Sequence, residues 1–223
     1  MKIILFGGLG KTAEPIVDLL IQEKHDITLF DIAESNPYDH AQNIKVIFGD
    51  ICDEKAVHQA MNGIDAIIHL AVNIFDAQND ELTFKTNIFG TYNVLNCALN
   101  NKVSKILLAS SAPVHMVSEL AKIELDYICS AGEDFTYDLS KNLQETIAKH
   151  FSYTYSMNCM VLRLGHIVDG KNQSTLSGNP LSELSYCKGG WVCKYDVARA
   201  FVKAVETDFC GYNLVNISSS GYI

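Results

Sequence analysis

Ile3-Ile4-Leu5-Phe6-Gly7-Gly8-Leu9-Gly10-Lys11-Thr12-Ala13 decides the fold of this chain. Four apolar residues read as a buried strand, and the glycines that follow read as a sharp turn. Thr12–Glu23 continues with helical spacing, Ile16, Leu19 and Leu20 sharing one face. Strand, glycine turn and helix in this order suit a dinucleotide's pyrophosphate. Small residues let the backbone approach the phosphates, and the new helix aims its first amides at them. The spacing fits G-x-x-G-x-x-A over Gly7, Gly10 and Ala13. Gly10-Lys11-Thr12 also looks like the end of a phosphate-binding P-loop. The first glycine of that pattern would fall on Leu5, inside the strand, so the P-loop is rejected.

Asp26–Phe30 is the next strand, and Asp31 ends it about 20 residues beyond Gly10, the spacing of the dinucleotide fingerprint. A carboxylate there accepts hydrogen bonds from ribose hydroxyls and repels a 2′-phosphate. Ile32 brings no compensating positive charge. NAD is therefore expected rather than NADP.

Strand-like runs at Lys45–Phe48, Ala66–Leu70, Lys105–Ala109 and Met160–Leu164 alternate with helical spacing at Asp53–Met61, Asp80–Asn100 and Tyr137–Phe151. Asp53 is placed to cap its helix. This order predicts an α/β chain, a Rossmann doubly wound parallel sheet with helices on both faces. The regular series stops at Gly165. Val168–Gly190 reads as loop, followed by a helix over Asp196–Glu206 and a strand over Tyr212–Ile217. The expected organisation is a NAD-binding domain over 1–165 and a small C-terminal substrate-binding part over 166–223 with a returning helix and strand.

Composition narrows the function. The chain has 223 residues, 48% hydrophobic and 19% charged, with a net charge of −9. A general basic field for nucleic acid is not expected. No run reaches the roughly 18 apolar residues of a membrane span. The opening apolar run is too short for a signal peptide, so the expected location is cytoplasmic. None of the seven cysteines forms a Cys-x-x-Cys pair, and no metal site is expected.

From Phe48 onward an ordered series of segments resembles the extended short-chain dehydrogenase/reductase family, the NAD-dependent epimerases and dehydratases. It comprises Phe48-Gly49-Asp50-Ile51, His69-Leu70-Ala71, Thr86-Asn87-Ile88-Phe89-Gly90-Thr91, Ala109-Ser110-Ser111, Tyr137-Asp138-Leu139-Ser140-Lys141, Leu162-Arg163-Leu164-Gly165 and Tyr195-Asp196-Val197-Ala198. Any one match is cheap; their order is specific. The resemblance implies that Gly7, Gly10, Lys11, Asp31, Asp50, Ile51, Leu70, Ala71 and Asn87 hold NAD, together with Tyr137 and Lys141. It also implies a catalytic trio of Ser111, Tyr137 and Lys141. The chemistry agrees. Tyr137 and Lys141 lie four apart on one helix face, and a nearby ammonium lowers a phenol's pKa toward that of a usable general base.

Ala112-Pro113 stands where the dehydratase branch carries Asp-Glu, which disfavours that reaction. The short stretch from Gly165 to Trp191 offers few contacts to a nucleotide-sugar, so a free sugar or sugar acid is the expected substrate. The chain is also similar to the compact uronate dehydrogenases of the family. That likeness makes Ser111, His115, Arg163 and His166 candidates for substrate binding, with Arg163 or His115 taking a carboxylate. A structural ion pair for Arg163, and roles as polar loop residues for His115 and His166, compete with that reading. A homodimer through the helices holding Asn87–Ala98 and Tyr137–Phe151 is implied, although their apolar faces could equally be core. A non-catalytic NAD-binding regulatory or scaffold protein is the alternative from another class. Retention of both Tyr137 and Lys141 argues against it.

Overall fold

The computed structural model describes residues 1–41, 43–73, 79–112, 135–183 and 190–218. The apolar run after Met1 forms β1 (Lys2–Phe6), completely buried from its second residue. A strand buried on both faces needs a layer on each side, which short strands joined by helical crossovers supply. The chain continues through α1 (Ala13–Gln22), β2 (Asp26–Asp31), β3 (Ile44–Phe48), α2 (Glu54–Ala60) and β4 (Ala66–His69). Next come α3 (Asp80–Thr83), a π-helical segment (Phe84–Gly90), α4 (Thr91–Asn100), β5 (Lys105–Ser111), α5 (Phe135–Tyr155) and β6 (Asn158–Leu164). The last part holds β7 (His166–Asp169), β8 (Ser174–Thr175), a 3-10 turn (Leu181–Glu183), β9 (Trp191–Cys193), α6 (Lys194–Glu206) and β10 (Tyr212–Ile217).

Seven strands make one sheet in the order β10-β6-β5-β4-β1-β2-β3. All of its pairs are parallel. The pleat sends alternate residues to opposite layers. Ile3 and Leu5 join Ile16, Leu20, Val197 and Phe201 under α1 and α6. Ile4 and Phe6 join Val57, Val94, Leu95 and Phe151 under α2, α4 and α5. Because every strand runs the same way, all carboxyl ends share one edge. The chain reverses direction across the sheet between β1 and β4, and such a switch point opens a crevice at that edge.

Asp53 caps α2 as expected, accepting from the amides of Lys55 at 3.0 Å and Ala56 at 3.2 Å. Two expectations need correction. Asp80–Asn100 is not one α-helix, because the π segment interrupts it. The expected loop over Val168–Gly190 contains the end of β7, β8 and the 3-10 turn. A second sheet, β8-β7-β9, forms there. Its residues Ile167 and Val192 pack into the main core. Asp169 anchors it: the carboxylate accepts from the amides of Lys171 and Asn172, both at 3.1 Å, and pairs with Lys194 Nζ at 2.9 Å. These bonds hold its pKa down at about 2. Asp-Gly-Lys-Asn is a turn signal that sequence reading passed over.

Candidate active site

The carboxyl edge collects residues from six strands. After β1, Gly7 adopts φ +78°, and a Cβ there would stand 2.6 Å from the Ala71 amide nitrogen. Both the left-handed backbone and the close approach to the end of β4 call for glycine. The turn then opens into α1, whose N-cap Thr12 makes no side-chain capping bond. Gly10 and Lys11 are exposed beside it. An exposed glycine turn leading into a helix with no side-chain cap suits a pyrophosphate, so these residues fit NAD. The Lys11 ammonium is turned elsewhere: it donates to the Leu176 carbonyl at 2.8 Å and ties the chain beyond β8 to this turn.

Asp31 closes β2. Its Oδ2 accepts from the Leu9 amide at 2.9 Å and its Oδ1 from Ala33 at 3.1 Å. A carboxylate has about four acceptor positions, so capacity remains for ribose hydroxyls. Beyond β3, Asp50 accepts from the Cys52 amide at 2.9 Å, and the Ile51 carbonyl accepts from Asn93 Nδ2 at 2.7 Å. Ile51 packs so tightly on Gly90 that a Cβ there would meet its Cδ1 at 2.5 Å. At the end of β4 the Leu70 amide donates to the Phe6 carbonyl at 2.8 Å, and Leu70 and Ala71 are half-buried facing Gly7.

Asn87 lies within the π segment and is completely buried. Its Oδ1 accepts from the Asn73 amide at 2.7 Å, and its Nδ2 donates to Ser140 Oγ at 2.9 Å. Ser140 in turn donates to the Tyr137 carbonyl at 2.7 Å. Asn87 thus ties the loop after β4 to the first turns of α5. A widened helical turn at such a position marks many functional sites.

Ser111 is the half-buried last residue of β5. Tyr137, also half-buried, is one turn ahead of Lys141 on α5. Lys141 is only 4% exposed. Its Nζ donates to the Ala109 carbonyl and to Gln144 Oε1, both at 2.8 Å. Burial pulls its pKa down to about 8 against the pull of Glu145. Gln144 Nε2 donates to Thr91 Oγ1 at 2.6 Å, which also lies 2.9 Å from His69 Nε2. Burial, helped by the Lys141 charge, holds His69 neutral, with its pKa pushed down to about 3. Gln144 and Glu145 were missed by sequence reading, and Thr91 was noted only as the end of the Asn87 segment. Only their spacing from Lys141 and Asn87 could have pointed to them.

For Arg163 the structure shows the ion pair, one of the two readings its sequence position left open. Arg163 lies opposite Ser110 in the β5–β6 register and is 2% exposed. Its Nη2 meets Glu145 Oε2 at 2.7 Å and its Nε meets Oε1 at 2.9 Å. Ser110 Oγ donates to the same carboxylate at 2.5 Å. The guanidinium is thus held beneath α5 in an ion pair with Glu145. His166 is exposed at the start of β7, its ring 4.9 Å from that of Trp191 in a T-shaped contact. His115 lies outside the described residues.

Comparison with known proteins gives the family. The family model for the NAD dependent epimerase/dehydratase family matches residues 3–180. L-arabinose 1-dehydrogenase (NAD(P)(+)) of Haloferax volcanii is 23% identical, covering all of this chain and 91% of its own length. Uronate dehydrogenase of Pseudomonas syringae is 25% identical, covering 96% of this chain and 73% of its own. Among solved structures, Pal of Bacillus thuringiensis superposes with TM-score 0.80 at 26% identity, over 99% of this chain and 79% of its own. Bordetella bronchiseptica WbmH, solved with NAD+, gives 0.78 at 25% identity, over 99% and 76%. The fold, the crevice at the switch point and the match over 3–180 lead to one conclusion: the chain belongs to the NAD dependent epimerase/dehydratase family.

Proposed function

We propose that this protein oxidises a hydroxyl-bearing carbon of a small free sugar, with Tyr137 as the general base. NAD, when bound, supplies the hydride acceptor. Gly7, Gly10 and the Lys11 backbone would face its pyrophosphate, Asp31 its ribose, and Asp50 and Ile51 its adenine. Leu70 and Ala71 would line its path, while Asn87 fixes the surrounding loop. Ser111 donates to and orients the substrate oxygen. Tyr137 takes the hydroxyl proton as the carbon–hydrogen bond breaks and the carbonyl forms. Lys141 stabilises the phenolate by its charge. The observation that carries the reading is the Lys141 ammonium, buried against the Ala109 carbonyl two residues before Ser111 and one helical turn from Tyr137.

The relatives act on arabinose and on uronates by their names. The chain has two arginines, Arg163 and Arg199. The first is paired with Glu145 and the second with Asp196. A substrate carboxylate would therefore find its usual bidentate partner already engaged. This favours an uncharged aldose over a sugar acid, with His166 beside Trp191 offering ring faces to it.

Phe84, Phe89 and Tyr92 are 38%, 53% and 47% exposed, and with Lys85, Ile88 and Ile147 they line an open, mostly apolar groove of about 560 Å³. We assign this face of the π segment, α4 and α5 to a homodimer contact. Sedimentation should give a dimer that Phe89→Glu dissociates. A monomeric wild type would remove the assignment. No helix among the described residues is long and apolar enough to cross a membrane.

The test is NADH formation from NAD+ with a panel of neutral aldoses and uronates. Reduction with an aldose supports the reading. Reduction with a uronate alone reverses the choice of substrate charge. Isomerisation without net NADH indicates an epimerase. NAD binding without turnover indicates a regulatory binder.

A further inference from the structure

We propose that Gln144 is a positioning residue for this chemistry: its side-chain carbonyl and the Ala109 main-chain carbonyl together set the direction of the Lys141 ammonium. The inference rests on the role given to Lys141 above. Both oxygens stand 2.8 Å from Nζ. An ammonium has three N–H donors and no acceptor. Two are engaged here, so the tetrahedral geometry aims the third away from both carbonyls.

The amide of Gln144 has one workable orientation. Facing a group that can only donate, it must present its oxygen. Its NH2 then faces Thr91 Oγ1 at 2.6 Å. A flipped amide would set N–H against ammonium and leave Thr91 without this donor. Thr91 is held in turn by His69, whose Nδ1 is buried with no hydrogen-bond partner among the described residues. Gln144 is 1% exposed and Thr91 is completely buried. An apolar side chain of similar volume would fill this site at a lower desolvation cost. The amide adds only the acceptor on Nζ and the tie to Thr91.

Every element packed around the ammonium contributes. His69 on β4 is neutral and Thr91 on α4 is polar. Ala109 and Ser110 come from β5. On α5 itself Tyr137 stands one turn before Lys141, and Glu145 is drawn off by Arg163 of β6. Glu145 supports the charge at a distance, while among the described residues Gln144 is the side chain in hydrogen-bond contact. Removing it should both loosen the ammonium and make the charged form harder to keep.

The test uses the full chain with Gln144→Leu and Gln144→Glu. The Nζ of Lys141 is followed through a pH titration by nitrogen-15 NMR of the lysine side chains, assigned with Lys141→Met. NADH affinity is measured by fluorescence, and thermal stability is recorded alongside. The titration midpoint should fall by roughly one pH unit in Gln144→Leu, the tenfold worth of one hydrogen bond to a charged group. It should rise in Gln144→Glu, which keeps an oxygen against Nζ. NADH binding should weaken about fivefold in the leucine variant only, on the same scale of interaction. An unchanged Lys141 midpoint and unchanged NADH affinity in Gln144→Leu, whatever its melting temperature, would assign Gln144 to packing and overturn the proposal. If that variant fails to fold, Thr91→Val removes the anchor of the amide at equal volume. A downward shift of the midpoint supports the proposal and no shift overturns it. Full turnover by Lys141→Met would instead overturn the catalytic reading beneath it, an outcome the NMR result does not touch.

Discussion

The Asp31 carboxylate grips the glycine turn, accepting the Leu9 amide 2.9 Å from its Oδ2 while Oδ1 takes Ala33. The residue expected to read the ribose is therefore also a structural clip between β1 and β2. Asp31→Ala should lose both roles. NAD affinity should fall at least tenfold, since hydrogen bonds to a charged group are worth about 1.5–3 kcal/mol. The melting temperature should fall by several degrees, at about 2–4 °C per kcal/mol for a chain of this size. Calorimetric titration and a thermal scan measure the two effects separately. Loss of affinity at unchanged stability would show that the clip contributes nothing.

Two of the tightly packed glycines, Gly7 and Gly90, should respond differently. Gly7→Ala places a Cβ against main-chain atoms of Ala71 at a positive φ, so neither side can yield. It should abolish NAD binding. Gly90→Ala meets side-chain atoms of Ile51, Cδ1 at 2.5 Å and Cγ1 at 2.6 Å, rather than main chain. It should cost about 1–3 kcal/mol, the range for overpacking, and Ile51→Val should recover part of that. Denaturant titration of the single and double variants checks the coupling.

The Arg163–Glu145 pair should behave as structure. Breaking a buried pair from one side costs about 3–5 kcal/mol, because the other charge is left uncompensated. Glu145→Gln and Arg163→Met should each be strongly destabilising, and the double variant Glu145→Gln/Arg163→Met less so than the sum. A stable Arg163→Met protein with a raised KM confined to uronates would return Arg163 to the substrate.

Acid should act through His69. Its folded pKa of about 3 lies below the ordinary value of 6.5. As pH falls through 6.5 the unfolded chain takes a proton that the folded chain refuses, so stability is lost progressively between about pH 6.5 and 3. Asp169 adds a separate loss lower down, from the ordinary carboxylate range toward about pH 2. Above pH 6.5 neither group changes stability with pH, and the Asp169 contribution is fully present. His69→Asn should flatten the upper window and leave the lower one, as urea titrations at stepped pH would show.

Much of this was legible because its causes are local. Ile3–Phe6, the glycines and Asp31 lie within one β-α-β unit, and each residue's role follows from the backbone beside it. The carboxyl-edge cluster followed once the strands were known to run parallel. The π segment was not legible, because Leu82, Phe89, Val94 and Leu95 carry helical spacing whether or not one turn is widened. Arg163 was undecided because Glu145 comes to it from another element. Gln144 gave no signal, since an amide three residues past a lysine reads as a solvated helix position until α5 is laid on β5. β8 is two residues long and exists only because β7 and Pro180 pair with it.

Tyr137, one helical turn from Lys141, is proposed to take the proton during NAD-dependent oxidation of a sugar. The most direct measurement is NADH absorbance with the best aldose of the panel, for wild type and Tyr137→Phe, after NADH fluorescence has shown that both bind cofactor. The expected result is equal binding with turnover reduced by about 100-fold or more, the scale of general base catalysis. Tyr137→Phe turning over at the wild-type rate would contradict the account.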